Sequence, residues 1–138
     1  MWHEAISRQS AAAVLTEEKA AVFRRGVEQF NAREFWEAHE SWELVWLPAP
    51  EPDKTFLQGI IQVSAGFYHY TESNRVGARS LLRRGLAKLE RFPDGYRGLR
   101  LEDLRVAARA WLAALDGQVA AMPIAFPRIR EAAVSQQK

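Results

Sequence analysis

Apolar residues recur along this chain at steps of three and four, and no stretch alternates convincingly enough to read as a strand. Phe23, Val27 and Phe30 share one face of a first helix. Thr16 is placed to cap it, with Glu17 and Glu18 at the positive end of the helix dipole. Asn31-Ala32-Arg33 makes a short connection to a second helix, from about Glu34 to Trp46. Leu47-Pro48-Ala49-Pro50-Glu51-Pro52 must end that helix, because alternating prolines cannot continue it. Asp53 is expected to cap a third helix and Asn74 a fourth, which runs to about Arg91. Phe92-Pro93-Asp94-Gly95 is a turn. A fifth helix is expected from about Leu101 to Ala121, broken by Pro123.

The pattern predicts an all-α fold, a compact bundle of about five helices in one domain over residues 16–122. Residues 1–15 read as an N-terminal arm or extra helix, and 123–138 as a C-terminal tail. An echo at a spacing of 40 relates Gly26, Phe30, Ala38 and Trp42 to Gly66, Tyr70, Ala78 and Leu82. It suggests stacked helical hairpins of tetratricopeptide-like form, although that repeat is about 34 residues long and is used in about three or more copies.

Composition narrows the class. A chain of 138 residues with 48% hydrophobic and 26% charged residues can bury one substantial core. The net charge of +2 permits an anionic partner without demanding one. The absence of cysteine excludes disulfides, thiolate zinc sites and cysteine nucleophiles, and fits a reducing compartment. The N-terminus lacks the plan of a secretory signal. Thr55 to Thr71 is charge-free but holds Gln58, Gln62, Ser64 and His69, so it reads as a buried helix of a cytoplasmic protein and not as a membrane span.

On a helical wheel, Phe35, Ala38, Trp42, Val45 and Trp46 form the core face of the second helix. His39 and Glu43 lie four residues apart on its margin. Glu40 lies further round and Glu37 outside. The third helix turns Phe56, Ile60, Val63, Phe67 and Tyr70 to the core, extended by Leu57, Ile61 and Tyr68. Opposite them, Gln58, Gln62, Ala65 and His69 make a stripe without a single charge, which suggests contact with protein or ligand. Antiparallel packing of these two helices would bring His39 and Glu43 toward Gln62 or His69.

Three readings of this cluster stay open. His39-Glu40-Ser41-Trp42-Glu43 is one residue from the zinc-hydrolase pattern His-Glu-x-x-His. On the first reading, His39, Glu43 and His69 ligate a divalent metal and Glu40 is the general base. On the second, the cluster is a polar lock between helices. On the third, His39, Glu40, Glu43, Gln58, Gln62 and His69, with the aromatics Trp36, Trp42 and Trp46, line a pocket for a small molecule or a protein partner. The bland counter-reading is that tryptophans at this spacing are core.

The fourth helix carries Arg75, Arg79, Arg83, Arg84 and Lys88 across its outer face. That face could hold an acidic partner or phosphates, but a solvated face explains it as well, and no aromatic platform for bases is interleaved. No nucleophile elbow or glycine-rich phosphate loop occurs. His3 lies in the arm and reads as incidental. Apolar surface left by so small a bundle could support a homodimer.

The blocks FNAREFWEAHESWELVW, FLQGIIQVSAGFYHY and NRVGARSLLRRGLAKLE together resemble the bacterial and archaeal family known as domain of unknown function 309, over about Val22 to Leu115. The likeness rests on Phe30-Asn31, Phe35, Glu37, His39-Glu40, Glu43 and Trp46, then Gln58-Gly59, Ile61-Gln62, Ala65 and His69, then Asn74, Gly77-Ala78 and Leu82. Tyr96, Gly98 and Pro127-Arg128-Ile129 fit its close. The resemblance implies a compact helical fold and brings no activity with it. The expected role is a small interaction or binding module, with a metal-dependent hydrolase as the alternative.

Overall fold

The computed structural model describes residues 16–133; the N-terminal arm expected over 1–15, with His3, lies outside the described residues. The described residues form five α-helices: α1 Glu17–Asn31, α2 Phe35–Trp46, α3 Asp53–Thr71, α4 Arg75–Leu89 and α5 Leu101–Leu115, with a short 3-10 turn at Tyr96–Gly98. They build a compact all-helical bundle, and the only β-type pairing among them is an isolated bridge between Leu99 and Glu131. None of these helices is long and apolar enough to cross a membrane.

Capping chemistry sets the helix ends. Thr16 Oγ1 accepts from the Lys19 N–H at 3.2 Å, and Asn74 Oδ1 accepts from the Gly77 N–H at 2.9 Å. Asp53 does not cap α3. It is the first helical residue, buried, and its carboxylate turns inward to accept from the Tyr96 hydroxyl at 2.6 Å and from the Arg97 Nε at 2.9 Å. Its expected place is taken by Glu51, whose Oε1 accepts from the Thr55 N–H at 3.0 Å and hydroxyl at 2.7 Å. Those bonds, the hydroxyl's first, hold the Glu51 carboxyl below its usual range. The fifth helix stops at Leu115, six residues before the expected Ala121. Gly117, at φ 77°, closes it in a Schellman motif, with Gly117 N–H on the Ala114 carbonyl at 3.0 Å and Gln118 N–H on Ala113 at 2.8 Å.

The 40-residue echo is real geometry. Arg33 and Ser73 occupy the same left-handed turn position, at φ 67° and 63°. The Glu34 N–H bonds the Gln29 carbonyl and the Asn74 N–H bonds His69, both at 2.8 Å. Within each hairpin a glycine admits the facing helix. A Cβ added at Gly26 would stand 2.6 Å from Trp42 Cδ1, and one at Gly66 would stand 2.9 Å from Leu82 Cγ. Trp42 is fully buried, donating its indole N–H to the Phe23 carbonyl at 3.1 Å. The hairpins are thus duplicated, while the tetratricopeptide label itself gains no support beyond that.

Residues 123–133, read above as part of a tail, pack as a strap. Phe126 stacks on Trp111 with centroids 5.0 Å apart and planes 2° from parallel, and meets Phe35 edge-on at 5.0 Å. Asn31 holds the strap like a strand neighbour: its amide donates to the Ile129 carbonyl at 2.9 Å and accepts from the Ile129 N–H at 2.7 Å. Ile129 is buried. Pro123 and Pro127 interrupt any helical period here, which hides this segment from a reading based on it.

Two outcomes follow. Gly26→Ala should gain about 1 kcal/mol of helix propensity yet lose more to overpacking, for a net destabilisation of about 1–2 kcal/mol in denaturant unfolding. The Tyr96 phenol is pushed from 10.0 up to about 12, first by burial and then by its bond to Asp53. The folded state therefore holds this proton more tightly than the unfolded chain does. The contribution is complete below pH 10.0 and is lost as pH rises through about 12. The stability lead of the wild type over Tyr96→Phe, read from denaturant midpoints, should be flat below pH 10.0 and shrink toward pH 12.

Candidate interaction groove over the third helix

The wheel of α3 divides it into four faces. Phe56, Ile60 and Phe67 point into the core, where Phe67 meets Trp111 of α5 at 5.3 Å. Ser64 and Tyr68 turn to α2, with the Ser64 hydroxyl donating to the Phe35 carbonyl at 2.7 Å. Gly59 and Gly66 turn to α4. The fourth face is the charge-free stripe of Gln58, Gln62, Ala65 and His69. Its three polar members are half-buried, and it is flanked by α2 on one side and α4 on the other. Since α2 and α4 flank the stripe but make no broad contact with each other, the half-buried strip between them is a candidate groove.

Trp36, His39 and Glu43 of α2 form one wall. The His39 ring lies on Trp36 at 4.4 Å, Trp36 meets Tyr68 at 4.9 Å, and Tyr68 meets His69 at 5.7 Å, which makes a continuous aromatic path from wall to floor. His39 Nε2 stands 3.2 Å from the Glu43 carboxylate and Nδ1 3.3 Å from the Trp36 carbonyl. Both neighbours are acceptors, so both bonds form together only on the imidazolium. The pair adds little stability, because Glu43 is half-exposed. On the opposite wall the Lys88 ammonium donates to Gln62 Oε1 at 3.0 Å, and Asn74 Nδ2 lies 3.3 Å from His69 Nδ1. Gln58 is half-buried beside them, and Glu40 is exposed outside the groove.

The predicted cluster is divided between α2 and α3, and its pairings differ from those expected. Gln62 and His69 engage α4 and its cap, not His39 and Glu43. Of the three pocket tryptophans, Trp36 reaches the surface, Trp42 belongs to the core, and Trp46 is half-buried under the Lys54 ammonium, 4.7 Å from its ring. The Trp46 Nε1 has no acceptor among the described residues. Tyr68, which joins wall to floor, was read from sequence as an extension of the apolar face; its hydroxyl at the helix margin was the available signal.

The proposed metal ligands do not stand together. Among the described residues no group of three or more histidine, aspartate or glutamate side chains is placed to hold a metal ion. The basic face of α4 is also divided. Arg79 and Arg83 reach Asp116, at 3.9 and 2.8 Å. Arg75 reaches Met122 Sδ at 3.5 Å and lies 5.9 Å from the Tyr70 ring centroid, Lys88 turns to the groove, and Arg84 stays exposed.

A concavity of about 460 Å³ lies elsewhere, between α1 and the strap, walled by Phe23, Val27 and Leu99. Arg24, Glu28 and Glu131 also line it, and Arg97, another lining residue, is bound to Asp53. This cleft joins apolar walls to charged lining side chains, whereas the α3 strip presents neutral hydrogen-bonding groups beside aromatic rings.

Residues 23–81 match the family model described as Domain of unknown function (DUF309). An uncharacterized protein of Aquifex aeolicus (strain VF5) is 26% identical over 88 residues, which cover 63% of this chain and 26% of that protein. The aligned region therefore spans about a quarter of that relative's length. Neither comparison attaches an activity. The resemblance read from the motifs is matched from Phe23 in α1 to Leu81 in α4, where the chain is similar to the DUF309 model; the expected extension to Leu115, and the close at Tyr96, Gly98 and Pro127-Arg128-Ile129, lie outside the matched residues.

Proposed function

We propose that this protein is a small helical interaction module that holds a partner's peptide segment along the α3 groove. The observation that carries the reading is the half-buried, charge-free floor of Gln58, Gln62 and His69 between an aromatic wall and a basic one. Neutral amides offer donors and acceptors to a backbone without the desolvation cost of burying charge. Trp36 and Tyr68 supply rigid, amphipathic contact area at small entropic cost. The walls differ in sign, with Glu43 on α2 and Lys88 on α4, so a dipolar segment would dock in one orientation. A cytoplasmic setting fits a chain without cysteine. The metal-hydrolase alternative lacks a converged ligand set, and the nucleic-acid alternative lacks an undivided basic face.

A displayed random-peptide library selected on the wild type, with counter-selection on Trp36→Ala/Tyr68→Ala, tests the groove. Both side chains are partly exposed, and circular dichroism checks that the double variant folds. Peptides that survive should bind the wild type at least about tenfold more tightly than the variant, the scale of one aromatic hot spot. A library that yields only sequences binding both proteins equally overturns the proposal.

A further inference from the structure

The outer face of α2, next to the groove wall, has a character of its own. Glu37, Glu40, Leu44 and Leu47 fall within about 80° of arc at 100° per residue. All four are exposed, Leu44 to 66% and Leu47 to 70%. Neither Glu37 nor Glu40 has a salt bridge among the described residues, and α2 contains no lysine or arginine. Two adjacent exposed leucines flanked by unpaired carboxylates are an unusual way to face water.

The corresponding outer face of α4 is its complement. Ser80, Arg84 and Ala87 fall within about 60° of arc, and Arg91 follows one turn on. These four are exposed as well, although Arg91 lies just past the end of α4, next to Glu90, which pairs with Arg109; α4 itself has no acidic residue, and neither Arg84 nor Arg91 has a salt bridge among the described residues. One face offers carboxylates and protruding leucines. The other offers guanidiniums around small side chains, with room for the leucines between them.

We infer that the partner of the α2 outer face is a second copy of this chain, docked through the outer face of its α4. Glu37 and Glu40 meet Arg84 and Arg91 across the contact, while Leu44 and Leu47 cover Ser80 and Ala87. The two faces differ, so the contact is heterologous, and repetition gives a ring or an open chain of molecules rather than a two-fold dimer. The contact leaves the floor residues Gln58, Gln62 and His69 untouched and so stands apart from peptide binding in the groove.

Sedimentation velocity over a concentration series tests this with the full chain. At low ionic strength the wild type should grow in mass with concentration. At about 1 M salt, where the screening length falls to about 3 Å, it should do so far less. Glu37→Arg/Glu40→Arg and Arg84→Glu/Arg91→Glu should each remain monomeric, and an equimolar mixture of the two should associate again, because each now complements the other. Leu44→Ser, which leaves every charge in place, should weaken association about tenfold. A wild type that stays monomeric at low salt overturns the inference. So do reversed variants that associate as the wild type does, or a mixture that fails to recover.

Discussion

The approach of α2 onto α1 and of α4 onto α3, at glycines that leave no room for a methyl group, is the constraint from which the rest of the bundle follows. Gly26 lets the Trp42 ring lie against the α1 backbone, and that ring in turn contacts Phe23 and Phe30 at 6.4 and 6.1 Å. Gly66 brings the α3 backbone onto Leu82. Once α3 is flanked this closely by α2 and α4, and by α5 on its core face, only one strip of it is left uncovered. That strip cannot be strongly apolar without promoting aggregation, nor charged without a desolvation cost between close walls. Glutamine and histidine satisfy both limits, so the groove's chemistry is a consequence of its packing.

The remainder of the chain closes the ends of the two hairpins. Asp53 joins the start of α3 to the Tyr96–Gly98 turn, where Arg97 adopts φ 53° and gives its guanidinium to the carboxylate. Arg105 of α5, itself buried, donates to the carbonyls of Leu89 and Phe92 at 2.8 and 2.7 Å and so satisfies the exposed end of α4. The strap then fills the space between α1, α2 and α5 with Phe126 and Ile129. Each of these contacts ties a helix to a turn or strap that has little regular structure of its own.

That division explains what could be read from sequence. Helical period located all five helices, since Phe23, Val27 and Phe30 or Phe56, Ile60 and Phe67 meet only the helical template. The spacing of Gly26 from Trp42 and of Gly66 from Leu82 exposed the duplication. The charge-free stripe of α3 was legible as a polar face, and the structure leaves Gln58, Gln62 and His69 half-buried. Asp53 misled because an aspartate after a proline run has the local signature of a cap, while its real partners lie more than forty residues on. Gly117 was passed over as a helix end because alanines and Val119 continue a helical composition beyond it. The strap was illegible for a different reason: Pro123 and Pro127 bar a helical period, and what buries Phe126 and Ile129 is the shape of a site built by α1, α2, α3 and α5.

The two hairpins share backbone, turn geometry and close-packed glycines, yet they differ at nearly every equivalent surface position. His39 stands where the second hairpin has Arg79, Glu40 where it has Ser80, Glu43 where it has Arg83, and Leu44 where it has Arg84. Core positions had to remain compatible with the same close approach, so Ala38 and Ala78 are both fully buried alanines at the same point of their hairpins. The surface was under no such restriction, and its divergence is not random in sign: one outer helix is acidic throughout and the other basic throughout. A fold needs neither arrangement, because solvated charges contribute little to its stability. Opposed faces on either side of a neutral groove do, however, give the molecule a direction, and a directional surface serves recognition of a partner better than it serves folding.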